Sequence, residues 1–291
     1  MPAEAISSYL GSCARGDYNH DVSATRNLPD PNRLSVLSAS ILLAYALTRY
    51  VNLPISELAV QLPGIYLETE INVRTIVTLL VAGLAATGVQ WLIQDHPARH
   101  EQITLQHWLV PAFTAWVIGV PLYNLPPGFV WLASIAIGGA LLMLVLIAEY
   151  IIVDPNDVRH ALATAGLTAV SFALYLTLAI ALRSEGTRLF LLLPSLTVAG
   201  GLVCLRTLHL RLRGQWAIWP SIALALIVAQ FTAALHYWPV SSIAFGLAVL
   251  GPAYALSSLI ASLLEGETLR QAMIEPAMVL LVVWGTALWT R

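Results

Sequence analysis

A helical bundle that crosses a membrane many times is the fold class this sequence predicts, from its composition, its hydropathy and the length of its apolar runs. Hydrophobic residues make up 58% of the chain. Charged residues make up 10%, where soluble domains carry about 25%. The mean hydropathy is +0.77. Apolar runs recur along the chain at the length of about 20 residues that a helix needs to cross a bilayer.

Nine such runs can be drawn, at 34–52, 71–93, 107–124, 129–153, 160–182, 188–207, 216–236, 239–262 and 272–290. The third is the shortest. Pro111 and Pro121 interrupt it, so it reads as a bent span or a re-entrant element. The links are short; Asn124 to Pro127 joins the third and fourth runs, and Tyr237 to Pro239 joins the seventh and eighth. No link has room for a soluble catalytic domain. Residues 34–290 therefore read as one transmembrane domain.

Residues 1–33 are polar and carry Arg15, Asp17, Asp21, Arg26, Asp30 and Arg33. They read as a tail or a short surface helix, with no cleavable signal peptide expected. All fourteen basic residues are arginine. With the tail in the cytoplasm, nine arginines fall inside and five outside or near the outer interface. The densest group, Arg206, Arg211 and Arg213, then lies inside, as the positive-inside rule requires. The C-terminus follows on the outer side. The profile resembles that of many multipass bacterial proteins, so a bacterial inner (plasma) membrane is the expected location.

The stretch 53–70 is too broken for a span and too apolar for an ordinary loop. Ile55, Leu58, Ala59 and Leu62 recur at helical spacing between Pro54 and Pro63. A short helix on the outer interface is the expectation. It would serve as a connector, or as a gate over an external cavity.

Two alanine stripes have a spacing of four residues: Ala161, Ala165, Ala169 and Ala173 in the fifth run, and Ala225, Ala229 and Ala233 in the seventh. Small side chains let helix backbones approach closely in lipid. Both stripes read as packing seams inside the bundle, with a dimer interface as the alternative. Gly138-Gly139 and Gly200-Gly201 mark close approach or bending.

Ionisable side chains inside spans are the default site candidates. Arg49 ends the first run, and Glu68, Glu70 and Arg74 open the second. Glu70 and Arg74 are four apart and can pair across one turn. The group reads as an interfacial ion pair or as an anion or headgroup site. Glu149 and Glu275 lie at similar depth on the inner side. They can accept hydrogen bonds from Arg206 or from a neighbouring helix start, or bind a proton or cation together. Gln230 lies near the middle of the seventh run, and Thr168, Ser171 or Thr177 are its expected partners. Asp154, Asn156 and Asp157 read as turn and capping residues, with magnesium ligation as the alternative.

Several classes are excluded or disfavoured. The net charge of -2 gives no basic face for nucleic acid. Cys13 and Cys204 stand alone, without a CxxC or a disulfide framework. The histidines fall at span ends rather than deep in the bundle, so no haem, metal or other cofactor is expected. No HExxH, GxSxG, Walker or dinucleotide motif is present, which weighs against an enzyme. The expected role is an accessory or assembly subunit held among membrane lipids against a membrane-protein partner or a second copy of itself. A small-molecule or lipid transporter and an enzyme acting on a lipid phosphate are the alternatives.

Overall fold

A computed structural model describes residues 29–48, 56–62, 65–71, 73–94, 96, 104–126, 128–212 and 214–290. The chain runs α1 (Pro31–Thr48), β1 (Ser56–Leu62), β2 (Ile65–Ile71) and α2 (Val73–Ile93). A 3-10 turn (Thr104–His107) leads into α3 (Leu109–Asn124), followed by α4 (Phe129–Ile152), α5 (His160–Ser184) and α6 (Leu189–Arg211). The remainder is α7 (Ile218–His236), α8 (Ser242–Leu264), a short α9 (Leu269–Ala272) and α10 (Ile274–Trp289). Helices dominate because a segment surrounded by hydrocarbon must satisfy its own backbone N–H and C=O groups.

Among the described residues, eight helices are long and apolar enough to cross a membrane: α2 to α8, and the stretch Leu269–Trp289. Nine were expected. The first expected run, 34–52, is described only as far as Thr48, within α1, an 18-residue helix that carries Asn32, Arg33 and three serines in its first ten residues. These dilute its apolar character, although Leu37, Ile41 and Tyr45 are buried within the bundle. The third run is an unbroken helix rather than a re-entrant element. Pro111 sits in its first turn, where no N–H partner is needed, and Pro121 lies near its last turn.

The expected interfacial helix at 53–70 is instead an antiparallel hairpin, with Ser56 opposite Ile71 and Leu62 opposite Ile65. The sequence alternates apolar and polar residues, Leu58, Val60 and Leu62 against Glu57 and Gln61. That is the strand period of two. Pro63, read as a helix breaker, forms with the Gly64 that follows it a turn signal between two strands.

The helices alternate in direction and bury two main cores. One joins α1, α2, α3 and α4 through Ile41, Val89, Ile118, Leu142 and Leu146. The other joins α3, α5, α6, α7 and α8 through Val117, Leu178, Leu196, Val228 and Phe245. Helix α3 belongs to both and holds the halves together. Glycines allow the closest approaches. A Cβ at Gly201 would lie 3.2 Å from that of Ala225, which brings α6 against α7. A Cβ at Gly88 would strike the Leu37 side chain, which fixes α2 against α1.

Exposed aromatic residues bracket the span of α7. Trp216 and Trp219 stand at one end, and Tyr237 and Trp238 at the other. Eighteen residues from Trp219 to Tyr237 rise about 27 Å, close to the thickness of a hydrocarbon core. The C-terminal ends of α2, α4, α6 and α8 share one end of the bundle with the starts of α3, α5, α7 and α10. This is called the His107 end below; the opposite one is the His236 end.

Candidate functional site

At the His107 end, three helices place charged or titratable side chains in a dry setting. Glu149 lies in the last turn of α4, Arg206 in the last two turns of α6, and His107 in the 3-10 turn before α3. Their exposures are 0%, 2% and 5%. Glu149 Oε2 accepts a hydrogen bond from Arg206 Nη2 at 2.6 Å. The same oxygen pairs with His107 Nδ1 at 2.8 Å. Removing such charges from water costs several kcal/mol each, so they persist here only because each has its counterpart.

The network continues through Gln106. Its Nε2 lies 3.2 Å from His107 Nε2, and its Oε1 lies 2.6 Å from His209 Nε2. The His209 ring also rests against Trp216, with centroids 4.6 Å apart. The ion pair is one-sided. Glu149 Oε1 and Arg206 Nε are buried without a hydrogen-bond partner, although a guanidinium can grip a carboxylate with two parallel bonds. Arg206 also borders a small crevice lined by Val110, Phe113, Ser171 and Val203, between α3, α5 and α6.

Nearby groups complete the electrostatic setting. His96, just beyond α2, meets the Tyr150 ring edge-on at 4.6 Å. Burial holds its imidazole below the ordinary histidine value, against an opposing pull from Asp154 and Asp157. Asp154 Oδ1 accepts from the Asn156 N–H at 2.9 Å, and Asp157 Oδ1 from the Arg159 N–H at 2.8 Å. These are local turn contacts that lead into α5. At the edge of the bundle Arg211 pairs with Glu265 at 3.3 Å.

The other sequence candidates are dispersed. Glu275 is exposed and accepts from Tyr254 Oη at 2.9 Å. It and Glu149 therefore have separate donors and do not form a carboxylate pair. Arg49 lies outside the described residues. Glu68 and Glu70 fall on β2 and Arg74 in the first turn of α2, but their side chains lie outside the description. Gln230 is exposed on the outer face of α7 rather than turned inward. Thr168, Ser171 and Thr177, its expected partners, each donate instead to a carbonyl four residues back in α5.

The two alanine stripes part company. Ala225 is buried on α7, and Ala229 and Ala233 are half-buried toward its neighbours. Ala161, Ala165, Ala169 and Ala173 are all exposed along the outer face of α5. On α7, Ala225 meets α6 at Gly201, whereas the α5 stripe faces outward. Arg206 was already an expected donor to Glu149, but Gln106 and the meeting of His107 with the same carboxylate were not singled out by sequence. The available signal was that Glu149, Arg206, His107 and His209 all fall at span ends on one side.

Residues 53–290 match the profile of DUF5656, a family of proteins of unknown function. The chain belongs to this family. All eight candidate spans of this DUF5656 protein, and every member of the Glu149 network, fall within the matched region, while α1 precedes it. No curated protein and no solved structure matches the chain. The DUF5656 protein is thus a multispan membrane protein whose buried polar cluster lies at one end of its bundle.

Proposed function

We propose that this protein is an accessory or assembly subunit that docks laterally against another membrane protein. The observation that carries the reading is Gln230. Its side chain is exposed on α7, eleven residues from Trp219 and seven from Tyr237. Between those aromatic ends it lies near the middle of the span. Among the described residues it has no hydrogen-bond partner. An amide directed into hydrocarbon loses its water without compensation. A polar group on a neighbouring transmembrane helix would restore the bonds, at about 1–2 kcal/mol in model helices.

The outer face of α5 supports the same reading. Other helices expose large side chains, with Leu79 and Leu80 on α2, Phe129 and Ile137 on α4, and Leu281 and Leu288 on α10. On α5, beside Leu162 near its start, the exposed row is Ala161, Ala165, Ala169 and Ala173. That surface lets another backbone come close, which bulky lipid-facing side chains do not. The turn contacts of Asp154 and Asp157 give both carboxylates a local structural role that requires no lipid phosphate.

The test is extraction of the native membrane into lipid nanodiscs without detergent, followed by native mass spectrometry. A defined complex with a second membrane chain is expected, lost in Gln230→Leu and Ala169→Leu while the chain itself stays folded. A lone, monodisperse chain from the wild-type membrane overturns the reading, and a complex of identical copies replaces the hetero-partner with self-association.

A further inference from the structure

The Gln106 bridge has a property that neither docking nor ordinary helix packing requires. A primary amide offers an acceptor on one side and donors on the other. Placed between two imidazole nitrogens, it can accept from one and donate to the other, but it cannot accept from both. The direction of each hydrogen bond in the row is therefore fixed by its neighbours.

Glu149 sets the direction at one end. A carboxylate paired with a guanidinium only accepts, so His107 Nδ1, 2.8 Å away, carries a hydrogen. In neutral His107 the other nitrogen, Nε2, is then a lone pair and accepts from Gln106 Nε2. Gln106 Oε1 faces His209 Nε2, which must donate. Every hydrogen bond in the row points toward Glu149, as does that of Arg206.

We propose that His107, Gln106 and His209 form a binding site for a single proton, which Glu149 anchors. The proton arrives from the aqueous phase and bonds to His107 Nε2. That nitrogen becomes a donor, so the Gln106 amide turns over and presents Oε1 to it. The amide NH2 then faces His209, which gives its Nε2 hydrogen up to water and takes one from water at Nδ1, so that Nε2 accepts. One proton is taken up in total, and His209 changes tautomer without changing charge. A second proton is opposed because both imidazoles would then donate to an amide with one oxygen.

The surroundings favour His107 as the residence of the charge. It touches Glu149 directly, at the same Oε2 that accepts from Arg206 on α6, while Oε1 of that carboxylate has no hydrogen-bond partner among the described residues. Other titratable groups stand further out. His96 follows α2, with Asp154 and Asp157 acting on it from the α4–α5 link. His160 opens α5, and Arg211 at the end of α6 is tied to Glu265 beyond α8. Gln106 is only half-buried and links the row to the aqueous face. The site would let that face set the charge of a junction between α3, α4 and α6.

The test is nitrogen NMR of the full chain in lipid nanodiscs with labelled histidine, titrated from about pH 8 to about pH 5. His107 and His209 signals are assigned by their loss in His107→Asn and His209→Asn. The expected result is one step in which His107 gains a hydrogen at Nε2 while that of His209 moves from Nε2 to Nδ1. In Gln106→Leu and Gln106→Met, if folded by their thermal transitions, the His209 shift should uncouple from His107. Three results would overturn the proposal: His107 stays neutral throughout, both imidazoles become charged together in the wild type, or the His209 tautomer does not move in the His107 step.

Discussion

Arg206 and Glu149 meet through one nitrogen and one oxygen, 2.6 Å apart, with 2% and 0% of their side chains exposed. The contact joins the last turns of α6 and α4, and removing either partner leaves a charge in a dry site. Glu149→Leu or Arg206→Met alone should each lower stability by about 3–5 kcal/mol. The double variant should recover most of that loss, because no charge is then stranded. Thermal unfolding of the three variants in nanodiscs decides it. Equal losses in the double and single variants would show that packing, not charge, holds the junction.

Arg211 and Glu265 provide the contrast. They join the ends of α6 and α8 at 3.3 Å with about a third of each side chain exposed. Solvent screens such pairs, so Arg211→Gln should cost no more than about 1 kcal/mol. The same measurement serves, and a loss as large as that of Arg206→Met would contradict the difference in burial.

The α6–α7 seam should be intolerant of volume, and the outer face of α5 tolerant. A Cβ at Gly201 already comes to 3.2 Å of Ala225, so Gly201→Leu should destabilise the chain by about 1–3 kcal/mol. Ala169→Leu extends outward from an exposed position and should stay within about 0.5 kcal/mol for the isolated chain. Unfolding midpoints of the two purified variants give the comparison.

His96 should make the fold sensitive to acid. Its imidazole titrates below the ordinary value because it is buried. The unfolded chain therefore binds the proton first on acidification. The contribution is fully present above the unfolded value of about 6.5 and is lost as pH falls toward the lower folded value. His96→Phe, which keeps an aromatic edge for Tyr150, should flatten that part of the curve. Unfolding midpoints of wild type and variant between about pH 7 and about pH 5 test it. Parallel curves would remove His96 from the account.

The sequence by itself determined the class of fold and most of its elements. Long apolar runs become helices in lipid whatever surrounds them, because their backbone hydrogen bonds close within the segment. The hairpin at 56–71 departed from expectation where the signal was mixed, an alternating pattern beside two prolines. What only the tertiary structure decided was the facing of each helix. In a soluble helix the polar side identifies the surface. Here the bundle core and the lipid are both apolar, so Ala165 and Ala225 look alike in sequence although one faces outward and the other inward. Gln230 was given inward partners for the same reason. The meeting of Glu149, Arg206 and His107 depends on how three helices rotate and cross, and helix rotation in an apolar medium follows from packing rather than from hydropathy.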